Sequence, residues 1–386
     1  MSLRDSVSHF WDCLKQKKLW ELGEEVGPLT EPLERLIRIW EVLRIEEQVG
    51  VVPAAWAGGR PPKDRRAIAR SLVAKSVLNL PTTAALIDRL RSDSALRRLC
   101  GFERLRDVPS EATFSRAFAE FAETELGQRA HSALVRETYG EEIVGHISRD
   151  ATAIDGREKP LRKPAATDEA GLPPRKRGRP RKGEERPAPE PTRLERQSQP
   201  GVSLKQLLAD LPTAADVGSK RNAQGFLVSW KGYKLHLDVG DTGMPISAIL
   251  SSASVHDSQV AIPLMMMTSE RAGTVLYEVM DSAYDAPLIE AASRALGRIP
   301  IIDINPRRNA EKQAKKDQRA LLKALALPLA EDVRYNERTT VERANARLKE
   351  EFGARNVRVR GHAKAMCHLM FGVCALAADT VLRLLV

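Results

Sequence analysis

The sequence predicts an α/β domain that is preceded by an all-helical region and interrupted by a long basic insert. Three observations favour this organisation. Apolar residues recur at helical spacing over 1–145, proline, arginine and lysine are abundant in 157–222, and strand and helix patterns alternate after the insert. We therefore predict a helical N-terminal domain over 1–145 and an α/β domain over 146–386 that contains the insert.

The N-terminal region is predicted to form several short helices. A break near Ser92–Asp93 divides one helical stretch, and Ser110 is the predicted N-cap of a helix that places Phe114, Phe118 and Phe121 on one stripe. Short helices with arginines on their outer faces are typical of helix-turn-helix DNA-binding proteins. An ordinary helical bundle with a solvated basic surface fits the same pattern, so both interpretations stay open.

The insert, 157–222, contains few large apolar residues. Such a segment cannot bury enough surface to offset its chain entropy, so we expect most of it to be disordered. The run LKQLLADL is the exception and predicts one short helix.

An AT-hook-like core lies within the insert, in the run RKRGRPRKG, and consists of Arg177, Gly178, Arg179 and Pro180. Extended arginine side chains fit the narrow, negatively charged minor groove of A·T-rich DNA. Glycine leaves room for that entry, and proline keeps the backbone extended. The alternative is a generic basic linker that is attracted to any phosphate backbone.

The α/β domain is predicted to start with an apolar strand before the insert and to continue after it with two strands joined by a turn at Gly240–Gly243. A helix capped by Asp257, the strand TVLYEVM, a helix that stops at Gly297 and the strand IPIIDIN follow. Further helices are predicted at about 310–327, 336–352 and 362–385. This element order is that of a ribonuclease-H-like fold.

Composition favours a protein that acts on a polyanion. The net charge is +10, although several classes of basic protein share such a value. No apolar run reaches the roughly 20 residues needed to span a membrane, and we see no signal peptide, so we expect a cytoplasmic protein without a membrane partner. The four cysteines form no CxxC motif, and any metal ion is therefore expected on oxygen ligands.

Three acidic residues are candidates for metal binding. Asp150 follows an apolar strand pattern, Asp281 ends the strand TVLYEVM, and Glu342 lies on a following helix. Sites in open α/β sheets gather at strand ends, and three carboxylates can hold two Mg²⁺ ions about 4 Å apart. Each aspartate taken alone is also a common helix cap or turn residue.

One face of the predicted helix carries four polar side chains, Tyr335, Arg338, Glu342 and Lys349, within an arc of roughly 60°. A face that packs on a core would be apolar, whereas this one combines a hydroxyl, a guanidinium, a carboxylate and an ammonium group. Arg338 and Lys349 are suited to holding phosphates beside Glu342. A solvated face with an Arg–Glu pair at i, i+4 is the simpler alternative.

The run YNERTTVERANARLK matches the pattern Y-x2-R-x3-E-x6-K and resembles the signature helix of the Tn-five-like group of bacterial insertion-sequence DDE transposases. The runs HISRDATAIDGREKP and VMDSAYDAPLI resemble the first- and second-aspartate segments of that group. The helical segment from ARSLVAK to FAEF resembles its N-terminal domain, so the resemblance covers most of the chain apart from the insert and the first fifty or so residues.

The resemblance implies a role for each matching residue. Asp150, Asp281 and Glu342 would hold two Mg²⁺ ions, for which Mn²⁺ would substitute, and Tyr335, Arg338 and Lys349 would contact phosphates near the transposon end. Enzymes of this group bind double-stranded DNA at inverted repeats, pair the ends in a homodimer and join the 3′ ends to target DNA. Only about sixty residues separate Asp281 from Glu342, which leaves no room for a large β-rich insertion domain.

Four further polar or aromatic residues near these segments have simpler interpretations. Trp230 is a candidate for base stacking, but covering a sheet edge is the commoner role of such a residue. Asp155 is expected on the opposite strand face from Asp150, Asp285 is expected to cap a helix, and His256 is expected to make a local hydrogen bond.

Two other functions remain possible from the sequence. One is a ribonuclease-H-like nuclease that cuts DNA without joining it. The other is a non-catalytic DNA-binding regulator derived from a transposase, which would work through the helical domain and the AT-hook-like segment.

Overall fold

The computed structural model describes residues 29–50, 63–161, 190–221 and 224–385. In the N-terminal part of this range, the α-helices are α1 (Glu31–Leu43), α2 (Arg65–Val77), α3 (Thr83–Ser92), α4 (Ser94–Cys100), α5 (Glu111–Glu123) and α6 (Leu126–Tyr139). Short 3₁₀ turns lie at Ile45–Gln48 and Leu105–Asp107.

The predicted helix boundaries of this region are confirmed. Asp93 separates α3 from α4, and its carboxylate accepts a hydrogen bond from the backbone N–H of Leu96 at 2.9 Å. Ser110 caps α5, and the aromatic stripe of that helix faces inward. Phe114 and Phe121 are buried, while the half-buried Phe118 stacks on Phe371 with ring centroids 6.3 Å apart.

One six-stranded mixed sheet forms the centre of the rest of the described chain. Its strands are β1 (Ile143–Asp155), β2 (Asp216–Arg221), β3 (Leu227–Gly240), β4 (Pro245–Ser252), β5 (Thr274–Met280) and β6 (Ile299–Ile302). The strand order is β2-β3-β1-β5-β6, and β4 pairs with β3. β3 is antiparallel to β1, β2 and β4, whereas β1, β5 and β6 run parallel.

Helices cover both faces of the sheet. They are α9 (Ser258–Ser269), α10 (Pro287–Ala295), α12 (Ala330–Tyr335), α13 (Thr339–Glu350) and α14 (His362–Leu384), whereas α11 (Ala310–Ala324) has no buried residue. Alternation along β4 separates the faces: Leu250 belongs to the core that contains α13 and α14, whereas Ile249 packs with Val260 and Leu264 of α9.

The expectation that 157–222 is mostly disordered is wrong for the part that the structure describes. Residues 190–221 contain α7 (Arg193–Gln197), α8 (Leu204–Ala209), which confirms the predicted short helix, and the strand β2. This stretch folds because the apolar side chains of α8 and its neighbours pack against α9, and because β2 completes its backbone hydrogen bonds on β3. The AT-hook-like residues 177–180 lie outside the described residues.

The last helix, α14, is the main element of the core. It packs against α1, α2, α5 and α6, so one apolar cluster extends from the N-terminal helices to the sheet. Contrary to the sequence expectation, α14 is long and apolar enough by composition to cross a membrane, but 94% of its most apolar window is buried inside the protein. This is the environment of a core helix.

A buried carboxylate fixes α14 to its neighbours. Asp379 accepts hydrogen bonds from Arg35 of α1 at 2.7 Å and from Arg347 of α13 at 2.5 Å. The first and last thirds of the described chain are therefore joined by polar contacts as well as by a common core. The same carboxylate ties α13 to α14 through Arg347.

Candidate active site

Asp150 and Asp281 lie side by side on two neighbouring parallel strands. The last paired residues of the β1–β5 ladder are Arg149 and Met280, and the two aspartates come directly after them. Neighbouring strands lie about 4.8 Å apart, and paired residues point to the same face, so the two carboxylates share one side of the sheet. β1 continues to Asp155, so Asp150 lies inside a long strand. The apolar pattern predicts it at the end of a strand instead.

The side chain of Asp281 is fixed by its own backbone turn. Asp281 is the N-cap of a 3₁₀ turn, Ser282–Tyr284, and its carboxylate accepts a hydrogen bond from the N–H of Ala283 at 2.9 Å. This bond orients one oxygen and leaves the other available to a ligand.

Burial raises the pKa of both carboxyl groups. Partial burial raises the pKa of Asp150 to about 6, and the neighbouring charge of Asp281 adds to the rise. The pKa of Asp281 is raised in the same way by burial and by the charge of Asp257. Arg338 acts on both groups in the opposite direction but does not offset these effects. Two half-buried carboxylates with incompletely neutralised charge suit a cation.

Glu342 lies on α13, on the same side of the sheet as the two aspartates. The buried side chains of Val341, Ala344 and Leu348 pack this helix on the core. The segment before it is held to β1, because the Ser148 hydroxyl donates to the backbone carbonyl of Glu337 at 2.9 Å. The Glu342 carboxylate is half exposed and forms an ion pair with Arg338, one turn earlier.

The predicted continuous helix over 336–352 is wrong at its start. A 3₁₀ turn, Asn336–Arg338, joins α12 to α13, and Tyr335 is the last residue of α12. Residues three apart are aligned in a 3₁₀ turn, so Tyr335 and Arg338 still lie on one side of the segment. The Arg338 guanidinium lies 5.9 Å from the centroid of the Tyr335 ring. Arg338 is central to the group, because its charge interacts with Asp150, Tyr335 and Glu342.

Lys349 lies apart from this group. It follows Glu342 by two helical turns, about 10 Å along α13. Burial lowers its pKa, and the charges of Lys220 on β2 and of Arg355 lower it further. Lys349 therefore belongs to a second group of charges at the far end of α13, in which Lys220 and Arg355 are accompanied by Asp155 and Glu350.

The described residues do not form a closed three-carboxylate metal site. Among them, no three His, Cys, Asp or Glu side chains lie close enough together to hold a metal ion. The structure brings Asp150 and Asp281 together and places Glu342 on the helix above them, paired with Arg338. Two of the three predicted ligands thus lie side by side, and the third pairs with a cationic side chain.

Comparisons with known proteins give two matches to family models. Residues 203–378 match the model described as a transposase DDE domain, and residues 22–120 match the model described as a transposase domain (DUF772). The chain belongs to the insertion-sequence DDE transposases. No curated protein and no solved structure gives a significant match.

The two matches correspond to separate parts of the transposase. The first contains Asp281, Glu342 and the polar residues of the helix face, and the second covers the helices α1 to α4 and most of α5. The DDE match begins at residue 203, inside the segment predicted to be disordered and after Asp150. Domains of this type generally use divalent metal ions and act on DNA.

Two side chains of the transposase that were expected to cap helices do not. Asp285 accepts hydrogen bonds from Lys312 at 2.6 Å and from the N–H of Asn305 at 2.8 Å, so it holds α11 near the site. Asp257 occupies the N-cap position of α9 without a side-chain capping bond, and its carboxylate instead pairs with Lys234 at 2.9 Å. Longer-range cationic partners outcompete the local backbone N–H groups in both cases.

His256, Asp155 and Trp230, for which the sequence also suggested simpler roles, have different environments in the structure. His256 makes the expected local hydrogen bond, to the Ser258 hydroxyl at 2.8 Å. Asp155 is exposed at the end of β1. Trp230 is half-buried, lies over Gly218 of β2 and donates its indole N–H to the Tyr233 carbonyl at 2.9 Å. Packing on the sheet edge accounts for Trp230, and base stacking stays a prediction.

Sequence reasoning missed a buried ion-pair network beneath the two aspartates. Arg149 is fully buried and makes two hydrogen bonds to Asp238 of β3, at 2.7 and 2.8 Å, and one to Glu278 of β5 at 3.1 Å. Arg298 donates a further bond to Glu278 at 2.7 Å. An arginine beside Asp150 signals nothing by itself, since its partners are set by the strand register.

Sequence reasoning also missed Asp303, although a signal was present. Asp303 directly follows β6 as Asp281 follows β5, and the β5–β6 register places the two residues side by side. Its side chain is 41% exposed and lies 3.9 Å from Lys316. Its negative charge contributes to the raised pKa of Asp281.

Proposed function

We propose that this transposase binds the inverted-repeat ends of its element, cleaves phosphodiester bonds there and joins the 3′ ends to target DNA in a cut-and-paste reaction. The observation that carries the proposal is the juxtaposition of Asp150 and Asp281 under a helix that presents Arg338 and Glu342. The transposase family supplies the DNA substrate and the nuclease-type chemistry.

The sheet supports a ribonuclease-H-like catalytic domain. The order β4-β3-β1-β5-β6, with β3 antiparallel and the last three strands parallel, is what a strand, a hairpin and two crossover strands produce. In this proposal, 146–386 is the catalytic domain and 1–145 binds the DNA ends, while α14 joins both regions through one core.

Asp150, Asp281 and Glu342 are the proposed ligands of two Mg²⁺ ions, which Mn²⁺ can replace. The bound ions would activate the attacking water or 3′-hydroxyl and stabilise the leaving oxygen in an in-line displacement at phosphorus. Asp150 and Asp281 provide fixed negative charge, because one lies in a paired strand and the other is held by its turn. Glu342 completes the set after its ion pair with Arg338 opens.

Arg338 has two partners in turn in this proposal. Without DNA it neutralises Glu342 and lowers the pKa of both aspartates. A DNA phosphate offers a guanidinium the same charge-assisted hydrogen bonds as a carboxylate. Phosphate binding by Arg338 and Tyr335 would therefore release Glu342 for metal binding, so that DNA assembles the site on which it reacts.

Lys349 contacts the DNA backbone further from the reacting phosphate. Lys349 and Lys220 would attract a phosphate backbone to this end of α13, where Arg355 is already paired with Glu350. The AT-hook-like residues 177–180 would add minor-groove contacts, and two copies of the chain would pair the ends as a homodimer.

The test is a strand-transfer assay with the inverted repeats of the element, Mg²⁺ or Mn²⁺, and three proteins: wild type, Asp281→Asn and Glu342→Gln. Glu350→Gln, an exposed residue on the same helix, is the matched control. We expect joined product from wild type and the control, and a loss of about 10²-fold or more in the other two. Cleavage without joining by wild type would favour a nuclease, and binding without either reaction would favour a DNA-binding regulator.

A further inference from the structure

A second polar group, contributed by α9 and by the turn after Asp281, lies close enough to the two aspartates for its charge to act on both. It consists of Asp257, at the start of α9, and Tyr284, the last residue of the 3₁₀ turn that follows Asp281. Neither residue belongs to the proposed triad or to the polar helix face. Both lie beside it in space, although Asp257 is distant from the triad in sequence.

The packing of Tyr284 brings the two residues together. Tyr284 is fully buried in a small cluster with Ala261 and Met265 of α9 and with Met280 of β5. Asp257 has helical backbone angles and precedes Ala261 by four residues, so both lie on the face of α9 that meets Tyr284. The tyrosine ring therefore runs between α9 and the turn that holds Asp281.

Two polar atoms in this region are buried without a hydrogen-bond partner among the described residues. They are the hydroxyl of Tyr284 and Nδ1 of His236, and both residues are fully buried. Nδ1 of His236 lies 3.8 Å from a carboxylate oxygen of Asp257, too far for a direct bond. Buried polar atoms are seldom left unpaired, and those beside a carboxylate cluster indicate ordered water or a hydrated ion.

Charge interactions agree with this arrangement. The negative charge of Asp257 raises the pKa of Asp150, of Asp281 and of the Tyr284 hydroxyl. Lys234 pairs with Asp257 at 2.9 Å, but the same ammonium group is shared with the Val255 carbonyl at 2.8 Å. The Tyr284 hydroxyl thus interacts electrostatically with three carboxylates and with the buried Arg149. It has no hydrogen-bond partner among the described residues and can therefore bind water, although these side chains form no closed metal-ligand set.

We propose that Asp257 and Tyr284 are positioning residues of the metal centre, which hold water bound to the divalent cation carried by Asp150 and Asp281. The inference rests on the proposed function of those two aspartates. Outer-shell carboxylates and hydroxyls of this kind commonly change metal affinity 10- to 100-fold. Asp257 accepts hydrogen bonds from this water, and the Tyr284 hydroxyl makes the remaining one.

The experiment measures Mn²⁺ binding to the full-length protein without DNA, by the loss of the electron paramagnetic resonance signal of free Mn²⁺. The variants are Asp257→Asn, Tyr284→Phe and Asp281→Asn. We expect Asp257→Asn to weaken binding about 10-fold or more, and Tyr284→Phe, which loses one hydrogen bond and no charge, about two- to fivefold. Thermal unfolding of each variant reports whether it is folded.

Two controls separate a water-holding role from simpler effects. Lys234→Met breaks the ion pair of Asp257 from the other side, and Asp303→Asn removes a charge that also acts on Asp281 but has no link to Tyr284. Asp303→Asn should bind Mn²⁺ within about threefold of wild type, since a charge that is 41% exposed is well screened. Lys234→Met should not weaken Mn²⁺ binding, because it removes a positive charge that pairs with Asp257.

The outcomes distinguish this inference from the proposed function. Wild-type Mn²⁺ affinity in Asp257→Asn, or an equal loss in either control, would overturn the role of Asp257. If Asp281→Asn also bound Mn²⁺ like wild type, the proposed metal site would fail and this inference with it. A loss in Asp281→Asn together with graded losses in Asp257→Asn and Tyr284→Phe would establish both.

Discussion

Replacing Arg149 by methionine should be among the most destabilising single changes near the site. The guanidinium joins β1 to β3 and β5, and it shares no surface with solvent. Arg149 and Met280 are the residues directly before the two aspartates, so the network holds the strands at the point where the carboxylates emerge. Methionine fills a similar volume but leaves the carboxylates of Asp238 and Glu278 without this partner.

The size of the effect follows from what each carboxylate retains. Glu278 keeps its bond to Arg298 at 2.7 Å, whereas Asp238 keeps only the neutral hydroxyl of Thr268 at 2.7 Å among the described contacts. Breaking one partner out of a buried ion pair costs about 3–5 kcal/mol, because a charge remains buried without compensation. For a chain of 386 residues that unfolds cooperatively, such a loss lowers the melting temperature by roughly 4–6 °C.

The assay is urea and thermal unfolding of Arg149→Met beside Arg355→Met. Arg355 forms an exposed ion pair with Glu350, so its loss should cost less than about 1 kcal/mol. Adding Asp238→Asn to Arg149→Met should restore part of the stability, because the uncompensated charge is removed. Equal stability of the Arg149 and Arg355 variants, or no recovery in the double variant, would refute the reasoning.

Three further predictions concern stability. Burial raises the pKa of Glu41 to about 7 from 4.5, and its carboxylate oxygens have no hydrogen-bond partner among the described residues, so stability falls as pH rises from 4.5 to 7. Because solvent screens this half-buried group, Glu41→Gln should gain about 1–2 kcal/mol at pH 8 and little at pH 4, by urea unfolding. Burial lowers the pKa of Lys75 to about 8 from 10.5, so Lys75→Met should gain about 3 kcal/mol below pH 8, and this gain should vanish above about pH 10.5; a gain that persisted there would contradict the cause. Gly232 has φ 139°, and a Cβ added there would lie 2.2 Å from the nitrogen of Gly156, whereas Gly243 has φ 86° and open space around it. Gly232→Ala should therefore lower the melting temperature more than Gly243→Ala.

The parts of the fold that sequence predicted correctly are those set by local patterns. The period of apolar residues identified β3 to β6 and most helices, and Asp281 was recognisable because an apolar strand ends just before it. The polar face of α13 was predictable for the same reason, since residues four and seven apart share a helix face whatever packs around it.

The errors arose where distant contacts override local composition. β2 lies in a basic, proline-rich segment and is a strand because β3 offers it hydrogen-bond partners. β1 extends through Asp150 because β3 pairs with it as far as Asp155. The side chains of Asp257 and Asp285 form ion pairs with Lys234 and Lys312 in place of the predicted helix-capping hydrogen bonds. None of these partners is visible in the neighbouring sequence.

The three proposed ligands differ in how firmly they are held, and this difference bears on mechanism. Asp150 and Asp281 are fixed by strand pairing, by a backbone hydrogen bond and by the buried Arg149 network beneath them. Glu342 is held by an ion pair on a half-exposed surface, and such pairs contribute about 0–1 kcal/mol. Moving Glu342 therefore costs far less than moving either aspartate. A site with two fixed carboxylates and one weakly restrained carboxylate can stay open without DNA and close when a phosphate takes over Arg338, so that its assembly depends on the substrate.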